Sequence, residues 1–169
     1  MKVFATNQLV ISLFDISREP DFFAINSHPD VMRYIRPVKT QEECRSFLIE
    51  NINLYKEGSV IGRYHVAEKT SQAFVGMFSV LMMPDRDGFH MGYALMPWAQ
   101  GKGWAKELVI NGVQWFFEHT DQKQVFAITE AENIASAMVL LKTGFTKLES
   151  IEQHNKTVDV YYRNRNANA

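Results

Sequence analysis

Apolar and polar positions repeat with a period near two in some stretches of this chain and near three and a half in others, and the switches mark its elements. Residues 8–14, Gln8-Leu9-Val10-Ile11-Ser12-Leu13-Phe14, are β-branched and apolar and predict a strand. The N-terminus alternates in strand fashion and has no secretory apolar region or cleavage pattern. Asp15 and Ser17 supply turn or capping chemistry. From Asp21, the residues Phe22, Phe23, Ala24 and Ile25 predict a helix ending near Ser27-His28-Pro29. A short helical piece with Val31, Met32, Tyr34 and Ile35 precedes Arg36-Pro37. Thr40, with Glu43 three residues on, has the spacing of a capping box. Cys44, Phe47, Leu48, Ile52 and Tyr55 are the apolar stripe of the helix it opens, and Glu57-Gly58 ends it.

The period then shortens. Gly62–Ala67 and Ala73–Met83 predict strands around a Thr70-Ser71-Gln72 turn, and Pro84-Asp85-Arg86-Asp87-Gly88 is a second turn. Phe89–Met96 is a strand that breaks at Pro97. A helix over Lys102–His119 shows Ala105, Leu108, Val109, Gly112, Val113 and Phe116 on one face, suited to packing on a sheet. Gln124–Glu130 is a strand, Asn133–Lys142 a helix stopped by Gly144, and Thr157–Arg163 a last strand. No repeat, low-complexity segment or linker divides the chain. The expectation is one α/β domain over residues 1–169, with a mixed, mostly antiparallel sheet and helices packed on it.

Composition changes this picture little. The 169 residues are 46% hydrophobic and 22% charged, ordinary for a globular chain. With 18 basic and 19 acidic residues, no overall basic field draws in nucleic acid or an anionic membrane. No apolar run approaches the ~18 residues of a spanning helix. Arg163 and Arg165 in the tail read as a solvated terminus. Cys44 is the only cysteine, which excludes an intrachain disulfide and a multi-cysteine zinc site, fits a cytoplasmic setting, and leaves no metal expected.

The candidate chemistry centres on Gly92-Tyr93-Ala94-Leu95-Met96-Pro97-Trp98-Ala99-Gln100-Gly101-Lys102-Gly103-Trp104-Ala105. Gly101 and Gly103 bracket Lys102 where a helix begins, and a helix start offers unpaired N–H groups and the positive end of its dipole to an anion. A dinucleotide fingerprint would need a third glycine at Lys106, and a nucleoside-triphosphate loop would need Ser or Thr after Lys102. Neither is present, so a generic phosphate cradle remains. A second motif, Asn133-Ile134-Ala135-Ser136 followed by Leu140-Leu141-Lys142-Thr143-Gly144-Phe145, comes after the strand that ends in Glu130.

Together the motifs Gln100-x-x-Gly103-x-Ala105 and Asn133…Lys142-x-Gly144-Phe145 resemble the acetyl-CoA signature of the GNAT N-acetyltransferases. Thr6–Ile11 and Ser27–Tyr34 resemble the branch that holds the ribosomal-protein alanine and serine N-acetyltransferases. The resemblance covers nearly the whole chain. It implies the GNAT acyl-CoA N-acyltransferase fold, with the central sheet splayed at residues 95–97 and helices on both faces. It implies acetyl-CoA as co-substrate, with its pyrophosphate on the N–H groups of Gly101, Lys102, Gly103, Trp104 and Ala105. Gln100, Ser136 and Lys142 are the other motif positions near the cofactor. The pantetheine arm would lie in the gap and pair with the backbone of Leu95 and Met96, with Asn133 either bonding it or capping its own helix.

The implied reaction is direct attack of a primary amine on the thioester. A backbone N–H near Met96 is expected to hold the oxyanion. The position where many relatives carry a tyrosine acid is Leu140, which leaves Ser136 as the candidate acid. Met96-Pro97-Trp98 holds no carboxylate where this branch often has one, so the base is Glu130, His90 or a chain of waters. Trp98 lies beside the acetyl site. Phe22, Phe23, Tyr34 and Arg36 are implied at the substrate entrance, and Asp159 and Tyr161 alternate on the last strand where an amine could meet them. The acceptor is a protein or peptide N-terminus or a small-molecule amine, amino acid or antibiotic. A non-catalytic acyl-CoA-binding module, a plain nucleotide-binding domain, and a monomeric or homodimeric state all stay open.

Overall fold

A computed structural model describes residues 1–56, 58–153 and 155–166. Eight strands form one sheet in the order β1-β2-β3-β4-β5-β6-β8-β7. They are β1 (Lys2–Ala5), β2 (Leu9–Leu13), β3 (Gly62–Glu68), β4 (Phe74–Met82), β5 (Phe89–Leu95), β6 (Gln124–Glu130), β7 (Thr146–Gln153) and β8 (Lys156–Asn164). Every neighbouring pair is antiparallel except β5 and β6. Among the described residues five α-helices join them: α1 (Glu19–Asn26), α2 (Pro29–Met32), α3 (Gln41–Leu54), α4 (Trp104–Glu118) and α5 (Ile134–Lys142).

Local chemistry explains the element ends. Thr40 and Glu43 cap each other's backbone at the start of α3, as their spacing predicts. That helix ends at Leu54 with Tyr55 as its cap; of the expected Glu57-Gly58 stop, Glu57 lies outside the described residues. Strand alternation divides the apolar side chains between two faces. On one face α4 buries Leu108, Val109, Val113 and Phe116 against Ile11, Tyr64, Val66, Phe78 and Met91. Gly112 lets the helix approach closely, since a Cβ there would stand 2.7 Å from Cζ of the Phe78 ring. On the other face Phe22, Ile25, Val31, Met32 and Leu48 of α1–α3 pack with Phe14, Met77 and Ala94. Met83, Phe126 and Val160 form a third cluster.

The parallel pair in the middle of the sheet is short. Only His90↔Phe126 and Met91↔Ala127 are in register, so pairing between β5 and β6 stops at Met91 and the remainder of β5, through Leu95, has no partner in β6. The expected splay at residues 95–97 is therefore the open end of a separation that starts earlier.

Two expectations need correction. Residues 146–153 contribute an edge strand, β7, where no element was expected, and nearly all of its side chains are exposed or half-buried. The tail arginines are not free: Arg163 is buried, and Arg165, though exposed, is bound. Arg163 is 9% exposed and donates to the Thr143 carbonyl at the end of α5. Arg165 donates to the carbonyls of Phe117, Thr120 and Gln122 beyond the end of α4. Through Thr143 and Phe117 the two guanidinium groups satisfy carbonyls that helix ends leave unpaired, and Arg165 also binds the loop beyond α4.

Candidate functional site

The gap exposes a strip of strand backbone. Met96 donates its N–H to Val75 of β4 at 2.9 Å. Backbone groups alternate sides along a strand, so those of Leu95 and Tyr93 point the other way, toward the gap that β6 has left. Of the backbone N–H groups near Met96, that of Met96 itself is spent on the sheet, and that of Leu95 faces the gap. The Leu95 carbonyl accepts from Gln100 Nε2 at 3.1 Å, which fastens the turn after β5 to the strand end. Gln100 thus acts by holding the turn in place.

Beyond that turn the chain enters α4 through two left-handed residues, Gly101 at φ +73° and Gly103 at φ +80°. Any other residue would be strained there, and beyond the adjoining residues no described atom lies within 4 Å of where either Cβ would stand. Among the described residues, no backbone carbonyl takes the N–H groups of Gly101 through Lys106. An open concave backbone with unspent donors at a helix start suits a pyrophosphate. The Trp104 side chain does not belong to this surface. It is 4% exposed and donates its Nε1–H to Gln8 Oε1 at 3.1 Å. Gln8 is itself gripped by the Glu107 carboxylate. Only the backbone of Trp104 faces the cradle. Ala105 packs against the core. The Lys102 ammonium lies 5.0 Å from the Trp98 ring and 4.8 Å from the Trp104 ring, so the indoles place its charge beside the cradle. Trp98 meets Trp104 edge-on and stays 45% exposed.

The third wall is the start of α5. Asn133 is its N-cap, with Oδ1 accepting from the Ser136 N–H at 3.2 Å. The cap uses the amide oxygen and leaves the amide N–H2 free to face a ligand. Across the gap stands Tyr93, a residue that sequence reasoning missed. Burial raises the pKa of its phenol, and the nearby Ser136 side chain opposes that rise. A tyrosine thus reaches the site from β5 while the α5 position holds Leu140, buried in the core. Nothing in the spacing signals this. Lys142 is not brought to the site: it is exposed in the last turn of α5, about 12 Å along the helix from its start.

The other candidates are placed as follows. Glu130 ends β6 on the wall of the gap, with its carboxylate bound to Lys156 Nζ. His90 lies where β5 is still paired, below the gap. Burial, with the charge of Arg63 adding to it, drops its pKa to about 4, so it is a weak base at neutral pH. Asp159 is locked to Lys147 at 2.8 Å and Ser150 at 2.7 Å, and Tyr161 lies in the main core, so neither is presented to an amine. Phe22 is fully buried and lines no entrance, while Phe23, Tyr34 and Arg36 are half-buried. No group of three or more metal-binding side chains occurs among the described residues, nor any helix long and apolar enough to cross a membrane.

Residues 8–146 match the family described as acetyltransferase (GNAT) domain. An uncharacterised N-acetyltransferase of Bacillus subtilis (strain 168), YnaD, is 24% identical over 162 residues, covering 93% of this chain and 92% of that one. Among solved structures, RimL, a ribosomal L7/L12 α-N-protein acetyltransferase in complex with coenzyme A, superposes with a TM-score of 0.84 at 19% identity. That match covers 99% of this chain and all of the other. A spermidine N-acetyltransferase of Vibrio cholerae, in complex with CoA and spermine, superposes with a TM-score of 0.80 at 15% identity, over 95% and 97% of the two chains.

Proposed function

The chain belongs to the GNAT acetyltransferases, and from that premise we infer that it transfers an acetyl group from acetyl-CoA to a primary amine. One observation carries the inference. The Tyr93–Leu95 stretch, which β6 leaves without a strand partner, precedes the open donors of Gly101–Ala105 by one short turn. A pantetheine arm with two amides suits the first, as an added strand, and a pyrophosphate suits the second. The RimL neighbour's complex with coenzyme A supports the same reading. Residues 1–169 work as one such domain.

Bound acetyl-CoA supplies an electrophilic thioester carbonyl and a thiolate leaving group. The chain supplies the rest. Gly101–Ala105 and Lys102 hold the phosphates, and the Asn133 amide steadies the arm. The Leu95 N–H is the oxyanion donor, an interaction typically worth a few kcal/mol when it is positioned in advance. The Ser136 hydroxyl, backed by Tyr93, holds the proton destined for the thiolate. The amine is the nucleophile in a ternary complex, and its proton leaves through water. Glu130 is paired with Lys156 and His90 is weakly basic, so neither is assigned that step. The acceptor is a protein N-terminus or a small amine, the two classes named for the RimL and spermidine neighbours.

The test is a thermal-shift comparison of acetyl-CoA, CoA, ATP and NAD, followed by thiol release on a panel of amines and peptides. Stabilisation by both CoA forms and acceptor-dependent thiol release are expected. Equal shifts with ATP or NAD would refute the reading.

A further inference from the structure

Two arginines stand without a carboxylate partner on the α1–α3 side of the sheet, beside the gap. Arg36 and Arg63 lie 4.9 Å and 4.5 Å from the Phe47 ring, and Lys39 joins them at 5.0 Å. Among the described residues, none of the three forms an ion pair. The Arg36 Nε is buried with no hydrogen-bond partner. Burial, with Arg36 repelling it, lowers the Arg63 pKa to about 10, and burial lowers that of Arg36. Cations withdrawn from water and set against each other are unfavourable unless something compensates them.

The fold nonetheless fixes both in place. Asn51, fully buried on α3, accepts from the Arg63 N–H at 2.8 Å and donates to its carbonyl at 2.9 Å. The Tyr55 hydroxyl donates to the same carbonyl. Asn26, also fully buried, accepts from the Arg36 guanidinium at 3.2 Å. Asn51 and Tyr55 thus fix the backbone that carries Arg63, and Asn26 holds the Arg36 guanidinium itself. Neither guanidinium forms an ion pair among the described residues, although the charge of Glu50 acts on Arg63 from a distance. Position supplies the remaining link. Arg63 is in register with Ser79 of β4, and Ser79 with Gly92 of β5. Two strand spacings put Gly92 about 10 Å from Arg63 along the row. The side chains between are a small hydroxyl and none at all, so low ground runs from the arginines to the strand edge that faces the gap.

We propose that Arg36 and Arg63 form an anion subsite for the acceptor, which takes a carboxylate carried by the molecule whose amine is acetylated. This rests on the acetyltransferase reading above and chooses within it. Two planar forks beside an aromatic face suit bidentate recognition of a carboxylate. Their charge repels a polyamine. Acceptors are therefore acidic, either a peptide with Asp or Glu close behind its N-terminus or a small amino acid, and the polyamines of the spermidine enzyme are excluded.

The experiment measures kcat/KM for peptides with Asp or Glu at the second or third position, their Asn or Gln counterparts, free glutamate, and spermidine. The wild type should favour the acid over its amide by at least about tenfold and should leave spermidine unacetylated. Arg63→Gln and Arg36→Gln should each remove most of that ratio, and Arg63→Lys should restore part of it. Calorimetry with the acidic peptide in the presence of CoA reads the subsite without turnover. NMR adds a second sign, because a carboxylate beside Arg63 should raise the His90 pKa. Among the acidic arms, activity confined to free glutamate names a small acceptor, and activity confined to peptides names a protein N-terminus; either upholds the subsite. Turnover with an acid-to-amide ratio near one, in the wild type or unchanged in the variants, overturns the subsite and leaves acetyl transfer standing. Acid-selective binding with no thiol release on any acceptor overturns acetyl transfer and leaves the subsite standing.

Discussion

Replacing Gly103 by Asp separates the cradle's structural role from its binding role, because the two respond with different magnitudes. Gly103 sits at φ +80° as the N-cap of α4. Forcing an L residue into that conformation costs about 1–2 kcal/mol. An aspartate at a helix start returns a few tenths of a kcal/mol over glycine as a cap and about 0.3–1 kcal/mol through the dipole. No protein atom obstructs the new Cβ. The fold should therefore lose no more than about 1.5 kcal/mol, a fall in Tm of roughly 3–6 °C for a chain of this size. Binding suffers far more. A carboxylate about 4 Å from one phosphate charge is opposed by about 4 kcal/mol at an effective dielectric constant of 20, so even with half of that screened the affinity falls by over an order of magnitude. At CoA set to 100 times the wild-type Kd, ligand stabilisation is about 2.7 kcal/mol. A hundredfold weaker variant retains about 0.4 kcal/mol, and its thermal shift nearly vanishes. Scanning calorimetry with and without CoA reads both effects. A variant that melts near the wild type and keeps the full CoA shift would refute the cradle.

Ser136→Ala should lower kcat by about a hundredfold with little change in KM for acetyl-CoA. Tyr93→Phe should cost less, and the double variant should be no worse than Ser136→Ala alone if both serve one proton; additive losses in steady-state kinetics would separate them. His90 carries a pH signature in stability. Its folded pKa of about 4 lies below the ordinary 6.5, so the unfolded chain binds its proton first and stability falls as pH drops through that window. The shift corresponds to on the order of 3 kcal/mol, and His90→Gln should flatten the urea-midpoint profile between pH 6.5 and 4. Gly112→Ala gains about 1 kcal/mol of helix propensity but drives a methyl into the buried Phe78 ring at 2.7 Å. A net loss of about 1–2 kcal/mol is expected in denaturant titration, and a stabilised variant would mean that the helix shifts freely on the sheet.

What the sequence disclosed was what neighbours along the chain decide. The Thr40–Glu43 capping box, the Gly88 turn and the Asn133 cap act within four residues of themselves, and their residue types announce them. Strand β7 was hidden because an edge strand with both faces near solvent has no apolar alternation to show; Leu148 and Ile151 alone are too few. Arg163 and Arg165 looked like a soluble tail, since the carbonyls they serve, at helix ends and in the loop after α4, are 20 to 48 residues away. Within the site the glycines of the cradle were legible through their conformational freedom. The backbone N–H that faces the gap was not: choosing Leu95 over Met96 depends on which side β4 occupies, a fact of register. The Tyr93–Ser136 approach and the Arg36–Arg63 pair likewise exist only once strands are laid side by side.

The two-pair contact between β5 and β6 also bears on how the molecule holds together. Strands β1–β5 and the β6–β8–β7 ribbon share little hydrogen bonding across that seam, so α4 and α5 supply most of the join between them. A pantetheine arm in the gap would occupy the place of a missing strand and turn two frayed margins into interior sheet. Amide exchange is then expected to report two semi-independent cooperative units in the free protein, with residues 124–164 opening first. CoA should merge them into one, which makes the acyl carrier a structural tie as well as a reactant.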